Sequence, residues 1–365
     1  MSLLGKKFLL TGHTGFKGSW MCTVLSMLGA NIVGYSLKEP TNPGLFSILG
    51  IDEWMIPNVK SVIGDVRDFD HLRQVFEEEQ PEIVIHMAAQ PLVRESYKNP
   101  VDTYSTNVMG TVNVLECCRN CPSVKSVVNV TTDKVYRNNE WDRGYVETDF
   151  LDGYDPYSNS KSCSELVTHS YVQSFFENMD IPVSTCRAGN VLGGGDFATD
   201  RIIPDCFRAA QNGENIIVRN PYSTRPYQHV LEPIFAYLMV AMEQYENHSL
   251  AGSYNVGPDD ESCVTTGELV TKFCKNWNMT REIDTKENQS PELRWVNKHD
   301  GGPHEAGFLK LDCTKLKNTF DWKPVWDIDT TIEKTVEWYR IYLSGGDVIA
   351  CMQKQIKEYM ECLNR

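Results

Sequence analysis

Short apolar runs alternate with longer amphipathic stretches through the first half of the chain. Lys7 to Thr11 reads as a buried strand, and from about Gly15 to Leu28 the residues Trp20, Val24, Leu25 and Leu28 fall on one stripe of a helix. Further strands are predicted at Asn31 to Tyr35, Ser61 to Ile63, Glu82 to His86, Lys125 to Thr131 and Val183 to Arg187. Between them, Phe69 to Glu79, Pro100 to Cys118 and Tyr157 to Phe176 are predicted helices. After Arg187 the pattern breaks into short elements punctuated by Gly193-Gly194-Gly195, Pro204, Gly213, Pro221 and Pro226. A helix near Leu231 to Gln244 and a strand near Ser253 to Val256 are expected to return to the sheet, and the remainder from about Pro258 is mixed and helix-rich.

Strands alternating with helices indicate βαβ units and a parallel sheet covered on both faces. The expected class is α/β, a Rossmann-type doubly wound sheet with a smaller, interwoven mixed α/β domain. The division predicted is a dinucleotide-binding domain over 1–188, with about 227–257 returning to it, and a substrate domain from 189–226 and 258–365. A chain of 365 residues can bury cores for both.

A formal net charge of -14 argues against nucleic acid as the main partner, because phosphate backbones need clustered cations. No apolar run reaches the roughly 20 residues of a membrane span, and Phe8-Leu9-Leu10 is too short for a signal-peptide core. The expectation is a cytoplasmic protein whose 12 cysteines are free thiols. Cys117, Cys118 and Cys121 lack a second Cys or His pair at ligand spacing, so no metal site is expected.

Thr11-Gly12-His-Thr-Gly15-Phe-Lys-Gly18 lies between the first strand and the first helix. Gly12 permits a tight turn, Gly15 lets backbone approach a pyrophosphate, and Gly18 lets the helix pack on the sheet. The helix N-terminus then offers N–H groups and a positive dipole end to phosphates. An acidic residue usually ends the second strand and binds the adenosine ribose; here Tyr35-Ser36-Leu37-Lys38 stands there and Glu39 comes late, so NAD and NADP both stay open. Asp65 after the third strand is either an adenine-side residue or a turn residue.

Tyr157 and Lys161 are one helical turn apart and share a face. A phenol is a poor base near neutrality, and a neighbouring ammonium is expected to draw its pKa down. Thr132 ends the fifth strand, where open α/β sheets place ligands, and its hydroxyl can reach the substrate oxygen that Tyr157 would touch. Asp133 and Lys134 follow. They read either as a solvated ion pair or as a second acid–base couple, which alcohol oxidation does not need and loss of water does.

Together these segments resemble the nucleotide-sugar 4,6-dehydratases of the extended short-chain dehydrogenase/reductase superfamily. The motifs carrying the resemblance are the glycine turn, His86-Met-Ala-Ala-Gln90, Thr131-Thr-Asp-Lys-Val-Tyr136, Asp155-Pro-Tyr-Ser-Asn-Ser-Lys161, Arg187-Ala-Gly-Asn190 through Asp196, and Arg225-Pro-Tyr-Gln-His-Val-Leu-Glu-Pro233. They run from the N-terminus to about residue 325. Lys134, where most such enzymes have Glu, points to the branch that acts on CDP-glucose. The resemblance implies bound NAD, regenerated each turnover, with Gly12, Gly15, Phe16, Lys17, Gly18, Asp65, Val66, Ala88, Ala89, Gln90, Asn107, Tyr157 and Lys161 around it. It implies Tyr157 as the base at O4, Asp133 as the acid at C6 and Lys134 as the base at C5 or an enolate stabiliser. For the sugar nucleotide it implies Gln90, Thr132, Asn190, Arg219, Arg225 and His304, with Ser96 nearby. It implies a homodimer or homotetramer paired through the two long helices. The alternatives are a dehydratase for dTDP-, UDP- or GDP-sugars, a sugar-nucleotide 4-epimerase, which has no use for Asp133-Lys134, and a non-catalytic dinucleotide-binding regulator.

Overall fold

The computed structural model describes residues 3–51, 55–281, 292–299, 301 and 307–363. Its strands in chain order are β1 Lys7–Thr11, β2 Asn31–Ser36, β3 Val59–Ile63, β4 Ile83–His86, β5 Ser126–Thr132, β6 Val183–Ala188, β7 Asn190–Leu192, β8 Ile216–Val218, β9 Thr224–His229, β10 Ser253–Val256, β11 Cys263–Thr265 and β12 Trp295–Asn297. Seven of them form one sheet in the order β3-β2-β1-β4-β5-β6-β10, every neighbouring pair parallel. This is the doubly wound α/β order with a seventh strand beside β6. The order reverses between β1 and β4, where Thr11 stands opposite His86.

Alternate side chains of each strand enter separate cores. Phe8, Leu10, Ile83, Ile85, Val128 and Val130 join Trp20 and Leu25 on one face. Leu9, Val33, Val84 and Val127 join Val75, Phe76, Val114 and Leu115 on the other. Each such side chain contributes about 1.5–3 kcal/mol of burial. The apolar strand runs exist because both faces are covered. Helix Leu231–Glu246 lies against β5, with Ser126 Oγ donating to Ala241 O (2.7 Å) and Gln244 Nε2 donating to Val127 O (3.0 Å). The chain therefore re-enters the sheet after leaving it.

The predicted helix from Pro100 to Cys118 is interrupted. Pro100–Tyr104 and Gly110–Asn120 are α-helical, and Ser105–Met109 between them forms a π-turn. A second π-turn, Val172–Phe176, follows the helix Pro156–Tyr171. Neither was predicted, because a single widened turn of five residues is too short to stand out from the α-helical pattern around it. Outside the large sheet, β9 pairs with β7 and β11, and β8 pairs with β12. Strands β7, β8, β11 and β12 have three residues each, too few to carry a pattern, and Pro226 interrupts β9, so the sequence predicted none of them individually. Cys117, Cys118 and Cys121 are buried in the second core.

Candidate active site

The glycine turn is built by steric necessity. Gly12 has φ +80°, and a Cβ there would lie 2.9 Å from Ala88 N. A Cβ on Gly18 would meet Gly12 O at 2.1 Å. A Cβ on Gly15 would meet nothing closer than Gly12 O at 3.5 Å, so that side of the turn is open. No side chain caps the N-terminus of the helix Phe16–Met27. An open glycine and an uncapped helix N-terminus fit a dinucleotide pyrophosphate. Thr11 Oγ1 accepts from Met87 N (3.0 Å) and Ala88 N (3.1 Å), which ties this turn to the loop after β4.

That loop is held from the other side by Asn107, buried on the first π-turn. Its Oδ1 accepts from Gln90 N (2.8 Å), and its Nδ2 donates to Gln90 O (3.1 Å) and to Ser160 Oγ (2.9 Å). Asn107 thus fastens the β4 loop to the helix that carries Tyr157 and Lys161. The Gln90 side chain is engaged locally, with Leu92 N, Leu92 O and Thr103 Oγ1. Gln90, predicted to touch the sugar, therefore has an internal partner for each of its polar groups. Ser96 is buried and donates to Val93 O (2.7 Å) within its own helix.

On the adenosine side, Asp65 takes the form of a turn residue. It accepts from Arg67 N (2.9 Å), Nε (3.0 Å) and Nη2 (2.6 Å), and Arg67 holds its carboxyl below the usual range. Val66 packs where a Cβ on Gly110 would fall, and its carbonyl accepts from Asn113 Nδ2 (2.8 Å). Glu39 accepts from Ser47 N (3.1 Å) at the start of a short helix.

At the end of β5 three predicted residues meet. Thr132 Oγ1 donates to Asp133 Oδ1 (2.9 Å), and Lys134 Nζ donates to the same oxygen (2.8 Å) and to Asn190 Oδ1 (3.1 Å). Asp133 is fully buried, and its second oxygen, Oδ2, has no partner among the described residues. A buried carboxylate oxygen without a donor is costly unless a ligand supplies one. The helix Pro156–Tyr171 starts beside this group, capped by Asp155, which accepts from Ser158 N (3.0 Å) with Pro156 at the first position. Tyr157 stands in its first turn, close enough to the Thr132 hydroxyl to feel it.

The expectation that Lys161 lowers the Tyr157 pKa needs correcting. Burial pushes the phenol up to about 12, against the opposing effects of the Thr132 hydroxyl and the Arg201 guanidinium. The Lys161 ammonium donates instead to Val130 O (3.0 Å), and burial lowers its pKa to about 8. Arg201, which sequence reasoning missed, precedes the helix Ile202–Asn212 and pairs with Asp196 (3.1 Å). Nothing in its local sequence separates it from an ordinary surface arginine. Lys17 also reaches this cluster: its Nζ lies 3.5 Å from the Tyr237 hydroxyl, and burial, with the charges of Arg201 and Lys161, lowers its pKa to about 7.

Arg219 is held by Asp200 (2.7 Å) and lies 3.9 Å from Asp205. Arg225 is buried on β9 and donates to Thr224 O (2.9 Å). His304 lies outside the described residues. The structure thus brings together Thr132, Asp133, Lys134, Tyr157 and Asn190, adds Arg201 and Lys17, and has Arg219 in a separate carboxylate cluster.

The family model described as GDP-mannose 4,6 dehydratase matches residues 9–335. A CDP-glucose 4,6-dehydratase from Salmonella typhimurium is 44% identical, over 99% of this chain and 98% of its own length. A dTDP-D-glucose 4,6-dehydratase from Dictyostelium discoideum is 26% identical, over 92% of this chain and 82% of its own. Among solved structures, the Bacillus anthracis dTDP-glucose 4,6-dehydratase in complex with NAD superposes with a TM-score of 0.74 at 23% identity, covering 94% of this chain and 100% of that one. A Thermotoga maritima UDP-glucose 4-epimerase superposes equally well (TM-score 0.75, 20% identity, 92% and 99% covered), so the superpositions speak for the fold alone. A fold common to dehydratases and epimerases, carrying an acid–lysine pair beside its tyrosine, agrees with the sequence match: the chain belongs to the GDP-mannose 4,6 dehydratase family, within the nucleotide-sugar 4,6-dehydratases.

Proposed function

We propose that the chain dehydrates CDP-D-glucose to CDP-4-keto-6-deoxy-D-glucose, redox-neutral overall, with bound NAD. The carrying observation is buried Asp133 paired with half-buried Lys134, its Oδ2 unpartnered among the described residues, next to Tyr157. The choice of CDP-glucose rests on the 44% relative. Gly12, Gly15, Gly18 and the uncapped helix behind them would hold the cofactor, which when bound supplies the hydride acceptor for C4 and the donor for C6.

Tyr157 first releases its phenolic proton to solvent and then, as phenolate, takes the O4 proton. Thr132 and Arg201 favour that phenolate. The ketone formed at C4 acidifies the proton on C5. Transfer of one proton across the 2.8 Å between Lys134 and Asp133 turns ammonium and carboxylate into amine and carboxylic acid. The amine then removes the C5 proton while the acid protonates the departing C6 hydroxyl, and water leaves. Ammonium and carboxylate are thereby restored. As C6 is reduced, Lys134 returns a proton to C5, and the proton held by Tyr157 replaces the one lost in the water. A general acid and base so placed contribute roughly 10²–10⁴-fold each. Asn190 orients the lysine through its 3.1 Å hydrogen bond. Arg225 has the charge and fork geometry to bind the diphosphate.

The test is incubation of the pure protein with CDP-, dTDP-, UDP- and GDP-glucose, read by mass spectrometry. The expected outcome is loss of one water from the CDP-sugar. An unchanged mass with a new hexose epimer would mean an epimerase, and no conversion of any sugar with cofactor bound would mean a regulator.

A further inference from the structure

Glu165 is two helical turns after Tyr157 and one after Lys161, so the three share one face of the helix Pro156–Tyr171. The site described so far makes no use of it. Glu165 is buried, and its carboxylate faces the sheet rather than solvent. Oε2 accepts from Arg187 Nη2 (2.8 Å) and Thr185 Oγ1 (2.7 Å) on β6, and Oε1 accepts from Thr131 Oγ1 on β5. Arg187 in turn donates to the Tyr136 hydroxyl (2.8 Å) and Glu147 O (2.9 Å). The anchor residues interleave along β5: Lys161 holds Val130 O, and Glu165 holds the next residue, Thr131. Replacing a buried ion pair by apolar residues is often neutral for stability, so a pair with both partners about 3% exposed or less has no evident stability role of its own.

Resting on the reading above, we propose that Glu165, locked in place by Arg187, is a positioning residue that keeps Lys161 in its ammonium form and in register with β5. The groups facing Lys161 make such a counter-charge necessary. His86 lies at the end of β4, and Lys17 comes from the glycine-turn helix; the charge of Lys161 bears on both. Tyr157 is uncharged at rest. Asp133 is engaged by Lys134, and Arg187 lies behind Glu165. Glu165 is the carboxylate whose charge supports the Lys161 ammonium against burial.

The test is Glu165→Gln in the NAD-loaded enzyme. Loss of the negative charge lets Lys161 lose its proton at lower pH. The alkaline limb of kcat is therefore expected to move down by about one pH unit, with KM for the sugar nucleotide little changed. Should E165Q fold poorly because Arg187 is left unpaired, E165Q/R187M removes both charges, and the same shift is expected. Glu165→Asp retains the charge and is expected to hold the wild-type limb. A cofactor-independent arm measures thermal unfolding of E165Q, K161M and the double variant. E165Q is expected to lower the midpoint less when Lys161 is already gone. Additive midpoints, or a uniformly lower kcat with unmoved limbs, would overturn the proposal and leave Glu165 a plain strut. A wild-type chain inert toward every sugar nucleotide would defeat the reading of function instead, while the unfolding cycle would still decide the role of Glu165.

Discussion

The glycine turn and the end of β5 lie on the same edge of one sheet and are made in opposite ways. At the turn, backbone shape does the work. Gly12 and Gly18 are fixed by contacts of 2.9 Å and 2.1 Å that a Cβ would make, and Thr11 is bonded to the β4 loop, while His13 Nδ1 has no partner among the described residues. At β5, charge does the work. Asp133 and Lys134 are paired, Asp133 Oδ2 has no donor among the described residues, and Tyr157 bears a phenol whose pKa burial raises. A cradle for a cofactor is best rigid. A reaction centre must leave polar capacity for the atoms that change. Asn107 joins the two, since one amide side chain clamps Gln90 in the β4 loop and Ser160 in the helix Pro156–Tyr171.

Substitutions on either side should separate the two kinds of construction. The largest effect is expected from Tyr157→Phe, which removes only the phenolic oxygen. Turnover should fall by about 10³-fold or more, with cofactor content and thermal stability close to wild type; near-normal rates would remove Tyr157 from the chemistry. Lys134→Ala should slow product formation by roughly 10²–10³-fold while C4 oxidation continues. Reduced cofactor would then accumulate, visible by its near-ultraviolet absorbance, and product at the normal rate would make Lys134 a bystander. On the turn, Gly18→Ala should act through folding and cofactor content rather than through chemistry. Overpacking of this kind costs about 1–3 kcal/mol, read by denaturant unfolding and by the NAD carried through purification. An unaltered protein would contradict the 2.1 Å approach. The smallest effect is expected from Asp155→Ala, which removes the cap of the catalytic helix and should cost about 1 kcal/mol, with kcat reduced several-fold at most.

Much of the fold was legible. The alternation of strand and helix is set by hydrophobic periodicity, which is local, and the strands β1 to β6 follow from it. The π-turns at Ser105–Met109 and Val172–Phe176 were not, because each is a single widened turn of five residues within a longer helical pattern. The trio at β5 and Tyr157 was recognisable because their spacing places them relative to the strand end. Arg201 was not, since only the path of the chain after β7 brings its charge to the phenol. The local partners of Gln90 were not legible for the same reason. Its amide looks available in sequence and is engaged by Leu92 and Thr103 in the folded loop.

The order of elements, the glycines that allow a tight turn and the one-turn spacing of Tyr157 and Lys161 are properties of neighbouring residues, so the sequence alone determined them. The protonation of Tyr157, the partnering of Lys161 with Val130 rather than with the phenol, and the burial of Glu165 against Arg187 depend on which distant segments exclude water around them. Desolvation and ion pairing act through space over a few ångströms, and only the tertiary structure decides which charges come that near.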